Sequence, residues 1–229
     1  MTMKTTIMIV DDHPIVREGL ANLIGRDDRY QIVAEAAGAT EAMRFIEKKP
    51  PDMVIVDLTL AEGSGLQLIK RIHSEKPAIR ILVASMHDDM IYAERSLRAG
   101  ANGYINKEQA ASKLISAIEE VLRGNIYLDP AVASHIVQRR TQKQFPVGER
   151  PEDVLSDREL EIFALLGKGL SSKEIAGQLS VSPKTVDSHR FHIKKKLGVS
   201  KHSELLQRAL AWKTNASDPP DQDNVLIGE

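Results

Sequence analysis

The 229-residue chain contains no cysteine, which excludes disulfides and thiolate metal sites. It also has no long uninterrupted apolar run. Met1-Thr2-Met3-Lys4-Thr5 leads into a short apolar stretch broken by two acids, the pattern of neither a signal peptide nor a membrane span. A cytoplasmic protein with no membrane partner is therefore expected. Net charge is almost absent too, with 31 basic and 32 acidic side chains, but the balance conceals a difference between the two halves. Residues 1 to 124 carry 16 basic and 18 acidic side chains, whereas residues 150 to 213 carry 12 and 8, a net +4. That split points to nucleic acid as a partner of the second part only. The length suits two modest domains, each with its own core.

The most informative stretch is Met53-Val54-Ile55-Val56-Asp57-Leu58. Its apolar run reads as a strand buried on both faces that delivers a carboxylate at its end. A lone aspartate there could simply cap the next helix. Thr6-Ile7-Met8-Ile9-Val10, however, is a second such run and ends in Asp11-Asp12. In a parallel α/β sheet the carboxyl ends of the strands share one edge, and ligands bind there near the point where strand order reverses. Three carboxylates converging on one crevice repel unless a cation neutralises them, and Mg²⁺, which favours a few carboxylates, waters and a phosphate, suits the cluster.

Further strands are expected over Tyr30 to Ala36, Ile79 to Ser85 and Gly103 to Asn106, with helices between them. One helix carries Val16, Leu20, Leu23 and Ile24, and others are expected near 40–49, after Gly65, near 90–99 and around Leu114 to Leu122. Five strand-helix units predict an α/β domain with a five-stranded parallel sheet covered on both faces. Ser85 and Asn106-Lys107 then bring a hydroxyl and a cation to the edge that holds the acids. Together these groups make a set of metal ligands, a nucleophile and two groups able to hold phosphoryl oxygens.

Over residues 5 to 124 the chain resembles the receiver domains of two-component response regulators, on Asp11-Asp12, Asp57, Ser85, Tyr104 and Lys107 in order. The resemblance implies a flavodoxin-like fold and phosphorylation of Asp57 by a sensor histidine kinase or phosphotransfer protein. It implies Mg²⁺ held by Asp12 and Asp57 directly, by Asp11 through water and by the Thr59 carbonyl. Lys107 would pair with the acyl phosphate, Ser85 would bond it, and Tyr104 would turn inward behind it. Two stretches depart from the common receiver pattern: Leu60-Ala61 stands where Met-Pro is usual, and Glu108 follows Lys107 where many receivers have proline.

Past Gly124, a linker with a short helix is expected over residues 125–153, the helix running from Ala131 to about Gln138 and polar residues following with Pro146, Gly148 and Pro151. An all-α domain is expected over 154–213. Ser156-Asp157-Arg158-Glu159 and Ser171-Ser172-Lys173-Glu174 are capping boxes, and Ser182-Pro183 opens a third helix with Val186, His189, Ile193 and Leu197 inward. A fourth helix is expected from His202 to Trp212, and a disordered tail over 214–229.

Residues Leu155 to Leu210 resemble LuxR-type helix-turn-helix domains of the NarL/FixJ class of response regulators. The marks are Leu155-Ser156-Asp157-Arg158-Glu159, Gly169, Glu174-Ile175-Ala176, Thr185-Val186, His189 and Lys196-Leu197. The third helix, with five cations against Asp187 alone, fits the phosphates beside a major groove. The resemblance places Lys184, Thr185, Asp187, Ser188, Arg190, Phe191 and Lys195 on or beside the DNA-facing surface. It implies a transcription regulator that binds double-stranded DNA as a homodimer once phosphorylation of Asp57 unmasks the recognition helix. The chain would be no enzyme beyond phosphotransfer and slow dephosphorylation at its own aspartate. A phosphorylation-independent DNA-binding regulator is the alternative, whose sign would be loss of Asp57 or Lys107. An aspartyl phosphatase of the haloacid-dehalogenase type would need a second acid where Thr59 stands.

Overall fold

A computed structural model describes residues 4–60, 62, 64–86, 89–141, 150–179 and 181–217. The chain forms two compact units that divide after Gln142. The first is built on strands β1 (Thr5–Val10), β2 (Tyr30–Ala36), β3 (Met53–Val56), β4 (Arg80–Ser85) and β5 (Gly103–Asn106). All neighbours are parallel, in the order β2-β1-β3-β4-β5. The intervening helices are α1 (Pro14–Gly25), α2 (Ala39–Lys48), α3 (Gly65–Glu75), α4 (Asp89–Ala99) and α5 (Ala110–Leu122). They cover both faces, which is why all four residues of the central strand β3 are buried and apolar, whereas the edge strand β2 exposes Gln31 and Glu35. Ile7, Ile9, Met53, Ile55 and Leu82 form one core with Leu20 and Ile24 of α1 and Leu114, Ile118 and Val121 of α5.

Strand order reverses between β1 and β3. Val10 lies beside Val56, and the Asp57 amide donates to the Val10 carbonyl at 2.8 Å, so Asp11 and Asp57 leave the sheet side by side. Lys107 is the first residue beyond β5 and opens a short 3-10 turn over Lys107–Gln109.

The first unit extends past the residue where the linker was expected to begin. Gly124 turns the chain at φ 91°, and Tyr127 then pairs with β5: the Tyr104 amide donates to the Tyr127 carbonyl at 2.9 Å, and the Tyr127 amide to the Asn102 carbonyl at 3.1 Å. Lys113 of α5 meets Asp129 at 2.7 Å. Helix α6 (Pro130–Thr141) buries Val132 and Ile136, one turn apart on a single face. The strap covers backbone groups that the edge strand β5 would otherwise expose. Residues 125–141 thus belong to the first unit, and 142–149 of the expected linker lie outside the described residues.

In the second unit Pro151, expected only to interrupt structure, opens the one-turn helix α7 (Pro151–Val154). Helices α8 (Asp157–Gly167) and α9 (Ser172–Gln178) each start with a complete capping box, Ser156 with Glu159 and Ser171 with Glu174. Helix α10 (Pro183–Leu197) is capped by Ser182 and closed by left-handed Gly198. Helix α11 (His202–Ser217) continues past Thr214, where the tail was expected to begin, because no proline or glycine interrupts Lys213-Thr214-Asn215-Ala216-Ser217. Residues 218–229 of that tail lie outside the described residues. Among the described residues no helix is long and apolar enough to cross a membrane.

Candidate functional site

The three acids predicted to converge do so at the carboxyl ends of β1 and β3. Ligand atoms of Asp11, Asp12, Asp57 and also His13 all lie within 4.8 Å of one another. Asp57 is 4% exposed and Asp11 1%. The Lys107 ammonium reaches both, 2.7 Å from Asp57 Oδ2 and 2.6 Å from Asp11 Oδ2. Burial pushes the Asp57 carboxyl above its usual range. The Lys107 charge and hydrogen bond and the Thr59 amide oppose that rise, while the Asp11 charge adds to it.

Asp11 Oδ2 and Asp12 Oδ1 are buried and receive no directed hydrogen bond. Asp11 Oδ2 has the Lys107 ammonium beside it, and Asp12 Oδ1 the His13 ring, with Nδ1 at 2.7 Å. Buried carboxylate oxygens with lone pairs left over fit a hard divalent cation. His13 caps α1, one residue before its start, and its ring also joins the acid cluster. Its position next to Asp12 was the only sequence signal for that.

The remaining predicted residues line the same edge. Ser85 is wholly buried, at the end of β4 and in register with Asn106. Thr59, two residues after Asp57, makes an isolated antiparallel bridge to Ser64, folding the loop back over the strand end. Leu60 is buried, and Ala61 lies outside the described residues. Tyr104 is 3% exposed, and its amide holds the strap at Tyr127. The unexpected participant is Gly65. It starts α3 where its amide donates to the Leu58 carbonyl at 3.0 Å, and any side chain there would strike the Asp57 backbone.

On α10, Val186, Ile193 and Leu197 are buried. Lys184, Asp187, Ser188, Phe191 and Lys195 are exposed at helical spacings of three and four, so they form one outward stripe. Thr185 is exposed beside it, and Phe191 is 61% exposed. Arg190 does not join the stripe, since its side chain is only 19% exposed and reaches Ser172 and His202. His189 is half-buried, and burial with the Arg158 charge lowers its pKa. Lys196, one of the five cations, is committed inward, 2.6 Å from the buried Glu159. Its three-residue spacing from the buried Ile193 carried no sign of that partner. Leu205 and Ala209 of α11 are core, while Leu210 is 59% exposed.

Known proteins match both units. Residues 7–119 match the response regulator receiver domain family, and residues 153–209 the luxR family of bacterial regulatory proteins. The oxygen regulatory protein NreC of Staphylococcus carnosus is 39% identical over 211 residues, covering 90% of this chain and 97% of that protein. Among solved structures, a LuxR-family two-component response regulator from Aurantimonas sp. is 41% identical with a TM-score of 0.57, covering 61% of this chain and 100% of that one. RcsB from Salmonella enterica serovar Typhimurium, bound to a promoter in the presence of phosphomimetic BeF₃⁻, is 26% identical with a TM-score of 0.58, covering 91% of this chain and 100% of that one.

Proposed function

The chain belongs to the two-component response regulators that join a receiver domain to a LuxR-family domain, and from that premise we propose that phosphorylation of Asp57 controls its binding to double-stranded DNA through α10. The observation that carries the reading is the contact of Lys107 with both Asp57 and Asp11 at the strand-order reversal. Lys107 thereby stands where its ammonium can pair with phosphoryl oxygens carried on Asp57.

The phosphoryl donor is a phosphohistidine of a sensor kinase or phosphotransfer protein. An Asp57 carboxylate oxygen attacks phosphorus, the P–N bond breaks, and the imidazole leaves and takes up a proton. Alignment and charge neutralisation matter more here than a general base. Asp12 and Asp57, with Asp11 through water and the Thr59 carbonyl, would hold Mg²⁺, which when bound supplies charge neutralisation at the phosphoryl oxygens. Lys107 pairs with the acyl phosphate, Ser85 donates to it, and Tyr104 occupies the space behind. Water later cleaves the acyl phosphate, and this self-limiting cycle is the chain's own chemistry.

Lys184, Thr185 and Lys195 contact DNA phosphates, and Asp187, Ser188 and Phe191 face base edges. Phosphorylation favours a homodimer on paired half-sites. The promoter complex of RcsB with a phosphomimetic supports this coupling by likeness. The cytoplasm, where kinase output and DNA meet, is the compartment this function requires. Incubation with a small-molecule phosphodonor and Mg²⁺, followed by intact-mass measurement, tests the first step. Wild type should gain one phosphoryl group and Asp57→Ala none; equal labelling of both would place the modification elsewhere.

A further inference from the structure

Asp187 is the only acid on a helix that carries five cations, and at 63% side-chain exposure it stands in the outward stripe, where DNA phosphates would repel it. It is not isolated. Ser172, the first residue of α9, donates its hydroxyl to Asp187 Oδ1 at 2.8 Å. Arg190 Nη1 bonds the same Ser172 hydroxyl and lies 3.5 Å from Asp187 Oδ1. Arg190 Nη2 lies against the ring of His202, the first residue of α11, meeting Nδ1 and standing 3.0 Å from Nε2. Burial, then the Arg190 and Lys194 charges, lowers the His202 pKa, which keeps the ring in the neutral form that can accept from a guanidinium. Three helices therefore meet in one clasp around a largely covered arginine.

We infer that Arg190 is a positioning residue and not a phosphate contact, and that with Ser172 and His202 it aims Asp187 at a cytosine in the major groove. This rests on the reading of α10 as the DNA-facing helix and specifies what that helix reads. The chemistry selects the base. A carboxylate only accepts, so it needs an amino donor, which cytosine N4 and adenine N6 supply. Adenine places its N7 acceptor beside that amino group, where it repels the second carboxylate oxygen, whereas cytosine presents no acceptor there. Asp187 Oδ1 is taken by Ser172, and Oδ2 takes no part in the clasp. The guanidinium behind it offsets the repulsion from phosphates that would otherwise exclude an acid from this surface.

The test uses full-length protein and duplexes recovered by selection from random sequence, with affinity measured against salt concentration for each of four base pairs at every position. Wild type should prefer C·G at one position of each half-site by about tenfold. Asp187→Ala should lose that preference, and Asp187→Asn should move it to A·T, because a carboxamide offers both a donor and an acceptor to adenine. Arg190→Gln and His202→Ala should weaken the same preference and leave the salt slope unchanged. Lys184→Ala should instead lower the slope by about one and weaken all sequences alike. Arg190→Lys and Ser172→Ala serve as milder variants if Arg190→Gln unfolds.

Two results overturn the inference: a fall in slope for Arg190→Gln equal to that for Lys184→Ala, or a base preference that Asp187→Asn does not move. Failure of the wild type to bind any duplex would overturn the reading of α10 itself, a result distinct from either of these.

Discussion

A Cβ built at Gly65 would lie 2.0 Å from the backbone oxygen of Asp57. The chain must pass this close because the loop after β3 folds back onto the strand end and α3 begins there, holding the Asp57 carboxylate at the crevice. Gly65→Ala is therefore expected to destabilise the first unit by about 3 kcal/mol and to slow labelling by a phosphodonor in whatever protein remains folded. Denaturant titration of both proteins checks this. Equal midpoints would show that the loop can retreat without loss.

Burial raises the Asp57 pKa above its ordinary value of 3.8. The folded chain then holds this proton more tightly than the unfolded chain does. The contribution of Asp57 to metal-free stability falls as pH rises through a window that starts at the ordinary value and extends upward. Asp57→Asn removes this term, so in chelator near neutral pH its unfolding midpoint should exceed that of wild type, and the difference should shrink on acidification. Added Mg²⁺ should raise the midpoint of wild type more than that of the variant. A variant less stable than wild type in chelator would mean that Lys107 already offsets the buried charge.

The strap from Tyr127 to Asp129 and helix α6 close the edge of β5 beside Tyr104. A receiver fragment ending at residue 142 should melt higher than one ending at residue 124. Ile136→Ala, which empties a buried site, should cost about 2 kcal/mol. Thermal unfolding of the two fragments decides it, and identical transitions would return residues 125–141 to the linker.

Glu159 illustrates the opposite sign. Burial raises its pKa, but hydrogen bonds from Lys196 and Ser156 outweigh burial and hold it below the ordinary 4.5. Its stabilising contribution is present above that value and is lost as pH falls through the folded-state value. Glu159→Gln should cost the second unit about 1–2 kcal/mol near neutral pH, with the gap closing in acid. A constant gap across pH would assign the loss to packing alone.

Much of the molecule was legible in its amino acids because the signals are local. Runs of β-branched residues ending in Asp11 and Asp57, the capping boxes at Ser156 and Ser171 and the Gly198 stop each act within a few residues. Their consequences, the parallel sheet and the convergence of Asp11, Asp57 and Lys107, followed from topology rules. The misreadings came from partners distant in the chain. Tyr127 reads as a loop residue until β5 offers it an unpaired edge. Nothing in the spacing of Arg190 and Lys196 signals that Ser172 and His202 fold against the first and Glu159 against the second. Helix α11 runs past Trp212 because nothing in Lys213 to Ser217 terminates it, although the polar composition of that stretch alone suggests disorder.

The coupling between Asp57 and DNA is tested most directly by gel-shift titration of genomic fragments with full-length wild type and Asp57→Ala, each with Mg²⁺, with and without a small phosphodonor. The phosphodonor should tighten binding of the wild type, by about tenfold for a coupling of about 1.4 kcal/mol, and leave Asp57→Ala unchanged. Equal binding by both proteins in all conditions would contradict control by Asp57 and favour a regulator that works without the phosphate.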